Sequence, residues 1–129
     1  MHRPVKETVA ILGATDDPYR YAHKTMLALA DHGHTVLPVN PNHDQIDGIR
    51  CYPDLAACPE GIDTITVYVR PGILEGMLEA IVDARPGRVI LNPGTEDRDI
   101  ISRLSERGVK VQQSCTFVLL NTNRYLISR

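Results

Sequence analysis

The chain has 129 residues, of which 43% are hydrophobic and 23% are charged, and its formal net charge is −2. These values are typical of a globular protein and predict one domain over residues 1–129. The small negative charge argues against a broad surface for nucleic acid or an acidic membrane. The aromatic content of 5% argues against a stacking platform for single-stranded nucleic acid.

The chain has three cysteines, an odd number, and none of them forms a CxxC motif; they are Cys51, Cys58 and Cys115. This argues against the disulfide framework of a secreted protein and against a thiolate zinc site. The apolar stretch near the N-terminus is too short for a signal peptide, and no stretch approaches the roughly 20 apolar residues of a membrane span. We therefore expect a cytoplasmic protein with no membrane partner.

The first predicted elements are a strand and a helix. The apolar, β-rich run Thr8–Leu12 ends at Gly13 and predicts a buried strand. In the helix that follows, Asp17 is the predicted N-cap, Pro18 occupies the first position, and Gly33 lies beyond the end. Its buried face is predicted from apolar residues at helical spacing, which are Ala22, Met26, Leu29 and Ala30.

The second strand is predicted over residues 35–39, and the segment Asn40-Pro41-Asn42 ends it because proline offers no backbone donor. Residues 43–61 have the weakest periodicity of the chain and predict one short helix over residues 54–58. Residues 63–69 are rich in β-branched side chains and predict a third strand.

The segment Arg70-Pro71-Gly72 ends the third strand and precedes a helix with a wide apolar face. The face consists of two adjacent rows, Ile73, Met77 and Ile81, and Leu74, Leu78 and Val82. Arg88–Leu91 predicts a fourth strand that ends at Asn92-Pro93-Gly94.

The last part of the chain predicts a helix, a strand and a final helical segment. Thr95 is the expected cap of the helix, which buries Ile100, Ile101 and Leu104 and closes at Gly108. Residues 109–111 start the fifth strand, and residues 115–120 lead into the final segment. About five strands that alternate with helices predict an α/β fold with a Rossmann-like, doubly wound parallel sheet in a three-layer αβα arrangement.

The loops after the strands are the candidate site, because an open parallel sheet binds ligands outside the carboxyl ends of its strands. The first loop holds Gly13 but lacks the GxGxxG pattern of dinucleotide-binding folds. Asn40 stands where an acidic residue would bind a ribose, so an ordinary NAD-dependent dehydrogenase is disfavoured. A phosphate site at the N-terminus of the first helix stays open, since free N–H groups and the helix dipole attract anions.

Two interpretations of Arg20 fit the sequence equally well. Its guanidinium can bind a phosphate, or it can pair with an aspartate such as Asp17 at the surface. A cleaner anion site is predicted at the helix after the third strand. There Arg70 precedes Pro71, and no acidic residue occurs before Glu75.

Cys115 lies near the carboxyl end of the predicted fifth strand and is a candidate reactive thiol. No His or Asp is placed by the sequence to activate it, and a buried small apolar residue is the alternative. His32 and His34 form an HxH pair at a helix end without an accompanying carboxylate or cysteine, so we assign no metal site.

A set of segments carries a resemblance through its order and spacing. They include a glycine turn with an arginine, a Pro-Val-Asn-Pro strand end and a Cys-Tyr-x-x-Leu segment, and they lie at residues 9–15, 18–20, 33–41, 48–55 and 67–71. With these segments the chain resembles small single-domain CoA-binding proteins, relatives of the CoA-binding domain of the succinyl-CoA synthetase alpha subunit. The resemblance covers nearly the whole chain.

The resemblance implies a Rossmann-type module that binds coenzyme A or an acyl-CoA and contributes no catalytic residue. The pyrophosphate is expected over the turn from Gly13 to Arg20, and the nucleotide near Asn40 and Pro41. The implied cofactor-binding residues are Gly13, Ala14, Thr15, Pro18, Arg20, Asn40, Pro41, Arg70, Pro71, Asn92, Pro93 and Gly94.

Two positions depart from this family pattern. Relatives often have Ser in place of Ala22 and Lys in place of Asn42, so a hydroxyl and a cation for phosphate are missing here. His43 or Lys24 are the candidates to compensate. Retention of the contact to the ribose 3′-phosphate is therefore an open question.

Alternatives to a CoA-binding module also stay open. One is a nucleotide- or thioester-dependent enzyme or redox sensor that uses Cys115. Another is an interaction scaffold that has kept the fold and lost the ligand. The sequence does not distinguish a monomer from a homodimer, and it identifies neither a protein partner, nor the acyl group, nor the pathway.

Overall fold

Residues 5–129, which the computed structural model describes, contain seven β-strands in two sheets. The strands are β1 (Thr8–Leu12), β2 (Thr35–Val39), β3 (Gln45–Ile46), β4 (Ile49–Arg50), β5 (Thr64–Val67), β6 (Arg88–Leu91) and β7 (Val111–Gln113). Five strands form a parallel sheet in the order β2-β1-β5-β6-β7, and β3 and β4 form an antiparallel hairpin. The predicted α/β Rossmann-like fold is confirmed.

Helices cover both faces of the parallel sheet. They are α1 (Tyr21–Asp31), α2 (Pro71–Leu74), α3 (Leu78–Ala84), α4 (Arg98–Glu106) and α5 (Thr116–Asn121), with 3₁₀ turns at Leu55–Ala57 and Glu75–Met77. Successive strand residues point to opposite faces, so Ala10 and Leu12 join the core under α2, α3 and α4, whereas Val9 and Ile11 join the core under α1 and α5. No helix within residues 5–129 is long and apolar enough to cross a membrane.

The strand register brings the carboxyl ends of four strands to one level. Leu12 is paired with Val39 of β2 and Val67 of β5, and Val67 is paired with Leu91 of β6. The chain runs from β1 outward to β2 and then returns to β5 on the other side of β1, so the strand order reverses between β1 and β5. The crevice expected of such a sheet therefore lies at the loops after β1, β2 and β5.

The start of α1 differs from the prediction, and Asp17 is not its N-cap. The Asp17 carboxylate accepts a hydrogen bond from the Tyr19 N–H (3.0 Å), and the Asp17 carbonyl accepts one from the Arg20 N–H (3.1 Å). These bonds close a turn that contains Pro18, and the helix begins at Tyr21 without a side-chain cap. Ala30, predicted to be buried, is exposed.

The hairpin of β3 and β4 was not predicted. Asp47 and Gly48 connect its strands with φ angles of 50° and 78°, which suit a tight hairpin turn. Each strand has only two residues, too few to show alternation, although the Asp-Gly pair is a hairpin signal. Ile46 of β3 is buried in the core beneath α1.

Two further helices and two strands differ from the sequence-based prediction. The third strand, expected over residues 63–69, spans only Thr64–Val67 as β5. The helix expected over residues 73–82 is interrupted by the 3₁₀ turn Glu75–Met77, which contains the poor helix former Gly76. Asp97, not Thr95, caps α4: its carboxylate accepts a hydrogen bond from the Ile100 N–H at 3.0 Å. The Thr95 hydroxyl instead donates to the Asn92 carbonyl at 2.7 Å. Strand β7 begins at Val111 rather than at residue 109.

Candidate functional site

A cavity of about 400 Å³ opens at the carboxyl edge of the sheet, where the strand order reverses. Its lining comes from the turn after β1, the loop after β2, the segment after β5 and residues 53–55, together with residues of α2, the following 3₁₀ turn and α3. Most of the wall is apolar and includes Val39, Pro41, Pro53, Leu55, Ile73 and Met77. Its volume lies within the range of small-molecule sites, whose walls are also mostly apolar.

Gly13 allows the first turn to approach β5 closely. Its φ is +87°, and a Cβ at this position would lie 2.9 Å from Val69 Cγ1 and 3.2 Å from the Tyr68 carbonyl carbon. A side chain would therefore be strained by its backbone angle and would clash. The N–H groups of Gly13 and Ala14 both donate to the Val39 carbonyl, at 3.2 and 3.3 Å, so the turn is also attached to the end of β2.

Asn40 joins the loop after β2 to the turn after β1. Its Nδ2 donates to the Ala14 carbonyl at 2.7 Å, and its Oδ1 accepts from the Asn42 N–H at 2.8 Å. Both ends of the amide are thus engaged with backbone groups. In place of the carboxylate that binds a ribose in NAD-dependent folds, this position carries a neutral side chain that fixes two loops together.

The segment between the first turn and α1 presents both charges and backbone donors. Thr15 Oγ1 accepts from the Asp17 N–H at 3.2 Å, and Arg20 Nε lies 3.7 Å from the Asp17 carboxylate. The surface pair of Arg20 and Asp17 that the sequence allowed is therefore present. The Arg20 side chain is 75% exposed, so its guanidinium stays accessible. The N–H groups of Tyr21 and Ala22, at the start of α1, donate to no acceptor within residues 5–129.

The Arg70-Pro71 segment, where the sequence predicts an anion site, follows the end of β5. Pro71 starts α2 and the exposed Arg70 is its N-cap, but α2 has only four residues. The N–H groups of Ile73 and Leu74 both donate to the Arg70 carbonyl at 3.0 Å. The backbone donors of this short helix are therefore largely used within the turn.

Asn92 is directed into the protein rather than toward the cavity. It is 1% exposed; its Nδ2 donates to Thr66 Oγ1 (2.7 Å) and the Val67 carbonyl (2.8 Å), and its Oδ1 accepts from the Thr116 N–H (2.9 Å). The N–H of Gly94 donates to the Glu96 carboxylate at 2.7 Å. The Asn92 bonds fix the loop after β6 to β5 and α5, and the Gly94 bond lies within the loop.

The predicted site residues therefore form three groups. Gly13, Asn40 and Pro41 line the cavity. Ala14, Thr15, Pro18 and Arg20 belong to the segment after Gly13, and Arg70 and Pro71 follow the cavity residue Val69. Asn92 is buried, and Pro93 and Gly94 are exposed outside the cavity wall. Ile73 and Met77, which were predicted as core residues, line the cavity, and their i, i+4 spacing was the available signal.

A group of hydroxyls lies at the same sheet edge, on the face covered by α1 and α5. The Tyr68 hydroxyl is 2.5 Å from Thr25 Oγ1, and Thr66 Oγ1 is 2.9 Å from Thr116 Oγ1. Burial raises the pKa of Tyr68 to about 12, so the phenol is neutral at physiological pH. Sequence analysis missed Tyr68 and Thr25, because the contact joins a strand end to a helix 43 positions away in the chain.

A second, larger cavity of about 740 Å³ lies between the C-terminal half of α3 and the segment from Leu55 to Ile62. It contains the carboxylates of Glu60 and Asp83 and the thiol of Cys58, whose pKa burial raises to about 11. This cavity shares Leu55 and Ala80 with the smaller one but contains none of the strand-end loops. The smaller cavity is therefore the candidate site.

The chain is similar to known proteins over most of its length. Residues 7–121 match the model of a family described as "CoA binding domain". "Uncharacterized protein YneT" of Bacillus subtilis is 27% identical over 100 residues, which cover 78% of this chain and 74% of that protein. A crystal structure of an uncharacterized protein superposes with a TM-score of 0.87 at 33% identity, covering 93% of this chain and 98% of the other.

Longer proteins contain a region similar to this chain. "Acetate–CoA ligase [ADP-forming] II" of Archaeoglobus fulgidus is 25% identical over 134 residues, a match that covers 95% of this chain and 20% of the ligase. The chain thus spans about a fifth of the length of that enzyme.

Proposed function

The chain belongs to the CoA-binding domain family, and we propose that it binds coenzyme A or an acyl-CoA at the cavity between β1 and β5, as one domain with no catalytic group of its own. The observation that carries this proposal is the Asn40–Ala14 hydrogen bond of 2.7 Å. It unites the glycine turn and the Asn40-Pro41 loop, the two segments that the family resemblance relates to pyrophosphate and nucleotide.

The pyrophosphate would lie over the turn from Gly13 to Arg20. Support comes from the N–H groups of Tyr21 and Ala22, which point out of the N-terminus of α1, and from the exposed guanidinium of Arg20. Helix N-termini attract anions through both the free donors and the dipole. Because the formal net charge of the chain is −2, such local groups must supply the attraction for a phosphate.

The adenosine would occupy the cavity beside Asn40 and Pro41. The apolar side chains of Val39, Ile73 and Met77 offer a surface for a flat base, and the cavity volume of about 400 Å³ lies in the range of small-molecule sites. The pantetheine arm would then extend along the carboxyl edge past Pro93 and Gly94. Asn92 would support that loop from beneath rather than contact the ligand, since its amide is engaged within the protein.

The similarity to ADP-forming acetate–CoA ligases supports a CoA-type ligand. It does not extend to the ligase reaction, because the match covers only 20% of the Archaeoglobus enzyme. For this chain we propose a cytoplasmic module that holds a small-molecule CoA-type ligand and does not act on nucleic acid or membranes.

Calorimetric titration of the purified protein with CoA, acetyl-CoA and NAD tests this proposal. We expect saturable binding of the CoA species with one ligand per chain, and much weaker binding of NAD because Asn40 replaces the acidic ribose ligand. Circular dichroism of the same sample establishes that the protein is folded. Absence of heat with every CoA species, or tighter binding of NAD than of any of them, would overturn the proposal.

A further inference from the structure

We propose that the cavity prefers a CoA-type ligand whose ribose carries no 3′-phosphate, so that dephospho-CoA binds more tightly than CoA. This inference rests on the proposed function, in which the adenosine occupies the cavity. The wall that the ribose would face carries a negative charge, and this charge favours the ligand without the 3′-phosphate.

The cavity wall contains one ionisable side chain, and that side chain is an acid. Of the residues that the structure describes, those lining the cavity include Asp54 but no Lys, Arg or His. Asp54 Oδ1 accepts a hydrogen bond from the Ala57 N–H at 2.9 Å as the N-cap of the 3₁₀ turn. The carboxylate is thus held in place at the wall.

Arg50, Lys24 and Arg70 do not line the cavity, although Arg70 is exposed and directly follows the wall residue Val69. The Arg50 guanidinium stacks 5.0 Å from the centre of the Tyr52 ring, and the Lys24 ammonium lies 5.1 Å from the centre of the Tyr21 ring. His43 follows Asn42 but does not line the cavity. The Asn40 amide, which could donate to a phosphate, already donates from Nδ2 to the Ala14 carbonyl and accepts at Oδ1 from the Asn42 N–H.

A ribose phosphate at this wall would therefore meet the Asp54 carboxylate and no cationic side chain among the residues that line the cavity. A phosphate monoester carries a charge of about −1.5 to −2 at neutral pH, and burial of such a charge beside an apolar wall is unfavourable. Repulsion between charges separated by several ångströms near a protein surface changes a binding constant by about tenfold. Salt weakens this repulsion. The pyrophosphate contacts are the same for CoA and dephospho-CoA, so their own salt dependence does not change the ratio of the two affinities.

Titration calorimetry with CoA and dephospho-CoA at low and high ionic strength tests the inference. We expect dephospho-CoA to bind about tenfold more tightly at low ionic strength, with a smaller ratio at high ionic strength. Asp54→Asn should improve CoA binding several-fold and change dephospho-CoA binding less than twofold, because asparagine retains an N-cap acceptor. Asp31→Asn, the same charge change at the exposed C-terminal end of α1, should leave the ratio unchanged.

Three results would overturn the inference. If CoA binds as tightly as dephospho-CoA or more tightly, the preference is wrong while the proposed function stands; loss of that binding in Arg50→Ala would then assign the phosphate contact to Arg50. If Asp54→Asn leaves the ratio unaltered, Asp54 is not the cause of the preference. If the folded protein binds neither ligand, the proposed function fails together with the inference.

Discussion

The side-chain amide of Asn40 donates a 2.7 Å hydrogen bond to the main-chain carbonyl of Ala14 and so fixes the loop after β2 to the turn after β1. This bond should hold both loops in position before a ligand arrives, and fixed loops lose less entropy on binding. Asn40→Ala should therefore lower the affinity for CoA-type ligands by about 1 kcal/mol, the net value of one such bond. Titration calorimetry measures this change.

Asn121→Ala is the matched control, because Asn121 is exposed at the end of α5 and does not line the cavity. We expect the control to bind as the parent protein does. An Asn40→Ala variant with unaltered affinity would show that the bond is not needed for binding.

Gly13→Ala should destabilise the protein, because residue 13 has a φ of +87° and the new methyl group would lie 2.9 Å from Val69 Cγ1. Backbone strain of this kind costs about 1 to 3 kcal/mol, and we expect a loss of that size in the free energy of unfolding measured with urea. Gly72→Ala provides the control, since nothing lies within 4 Å of a Cβ there and its φ is not positive. Equal stability of the two variants would contradict the close-approach argument.

The strand pattern of the parallel sheet was predictable because proline or glycine marks several strand ends. The predicted bounds of β1, β2 and β6 agree with the structure. Gly13 and Asn40, which were predicted to lie at one edge of the sheet, line the same cavity. Local signals failed where the outcome depends on distant contacts. Asp17 is a separate case, because its carboxylate could cap a helix or a turn with equal chemistry, and in the structure it accepts from the Tyr19 N–H in the turn before α1.

Buried polar residues were the least predictable part of the molecule. Arg88 is 1% exposed, and it donates hydrogen bonds to Thr64 Oγ1, Gln112 Oε1, Ser128 Oγ and the Tyr125 carbonyl. In the sequence Arg88 is an ordinary charged residue at a strand start. Its partners come from three other segments, so no local pattern reveals that it joins the C-terminal tail to the sheet.

His34 should make the protein less stable in mild acid. The imidazole is buried, Nδ1 accepts a 3.0 Å hydrogen bond from the Glu7 N–H, and desolvation lowers its pKa below 6.5, although the Glu7 carboxylate acts in the opposite direction. The unfolded chain therefore binds the proton more readily than the folded protein. The stabilisation is complete above a pH of about 6.5 and declines as the pH falls below that value.

His34→Gln, which keeps an acceptor for the Glu7 N–H, should remove this part of the pH dependence in urea titrations between about pH 5 and 8. His32→Gln, at an exposed position, should retain it. An NMR titration of His34 with a midpoint at or above 6.5 would contradict the expected direction.

Cys115 should be the first thiol of the folded protein to react with iodoacetamide at pH 8. Burial raises the pKa of both Cys51 and Cys58, the latter to about 11, so both are almost entirely protonated at that pH. Cys115 is half-buried at the start of α5. Peptide mass spectrometry gives the order of modification. Alkylation of Cys115 only after unfolding would remove the alternative of a redox sensor that uses this thiol.

Arg20→Ala distinguishes the two interpretations of this side chain. In the structure Arg20 Nε lies 3.7 Å from the Asp17 carboxylate, and the arginine side chain is 75% exposed, so the pair should add little to stability. If Arg20 binds the pyrophosphate, its removal should weaken binding of CoA-type ligands by about 1.5 to 3 kcal/mol, the range for hydrogen bonds to charged groups. Arg107→Ala is the control for the change in net charge, because Arg107 pairs with Glu79 between two exposed helix positions outside the cavity wall. Unchanged affinity in Arg20→Ala would assign Arg20 to the Asp17 pair, and the phosphates would then depend on the backbone donors at the start of α1.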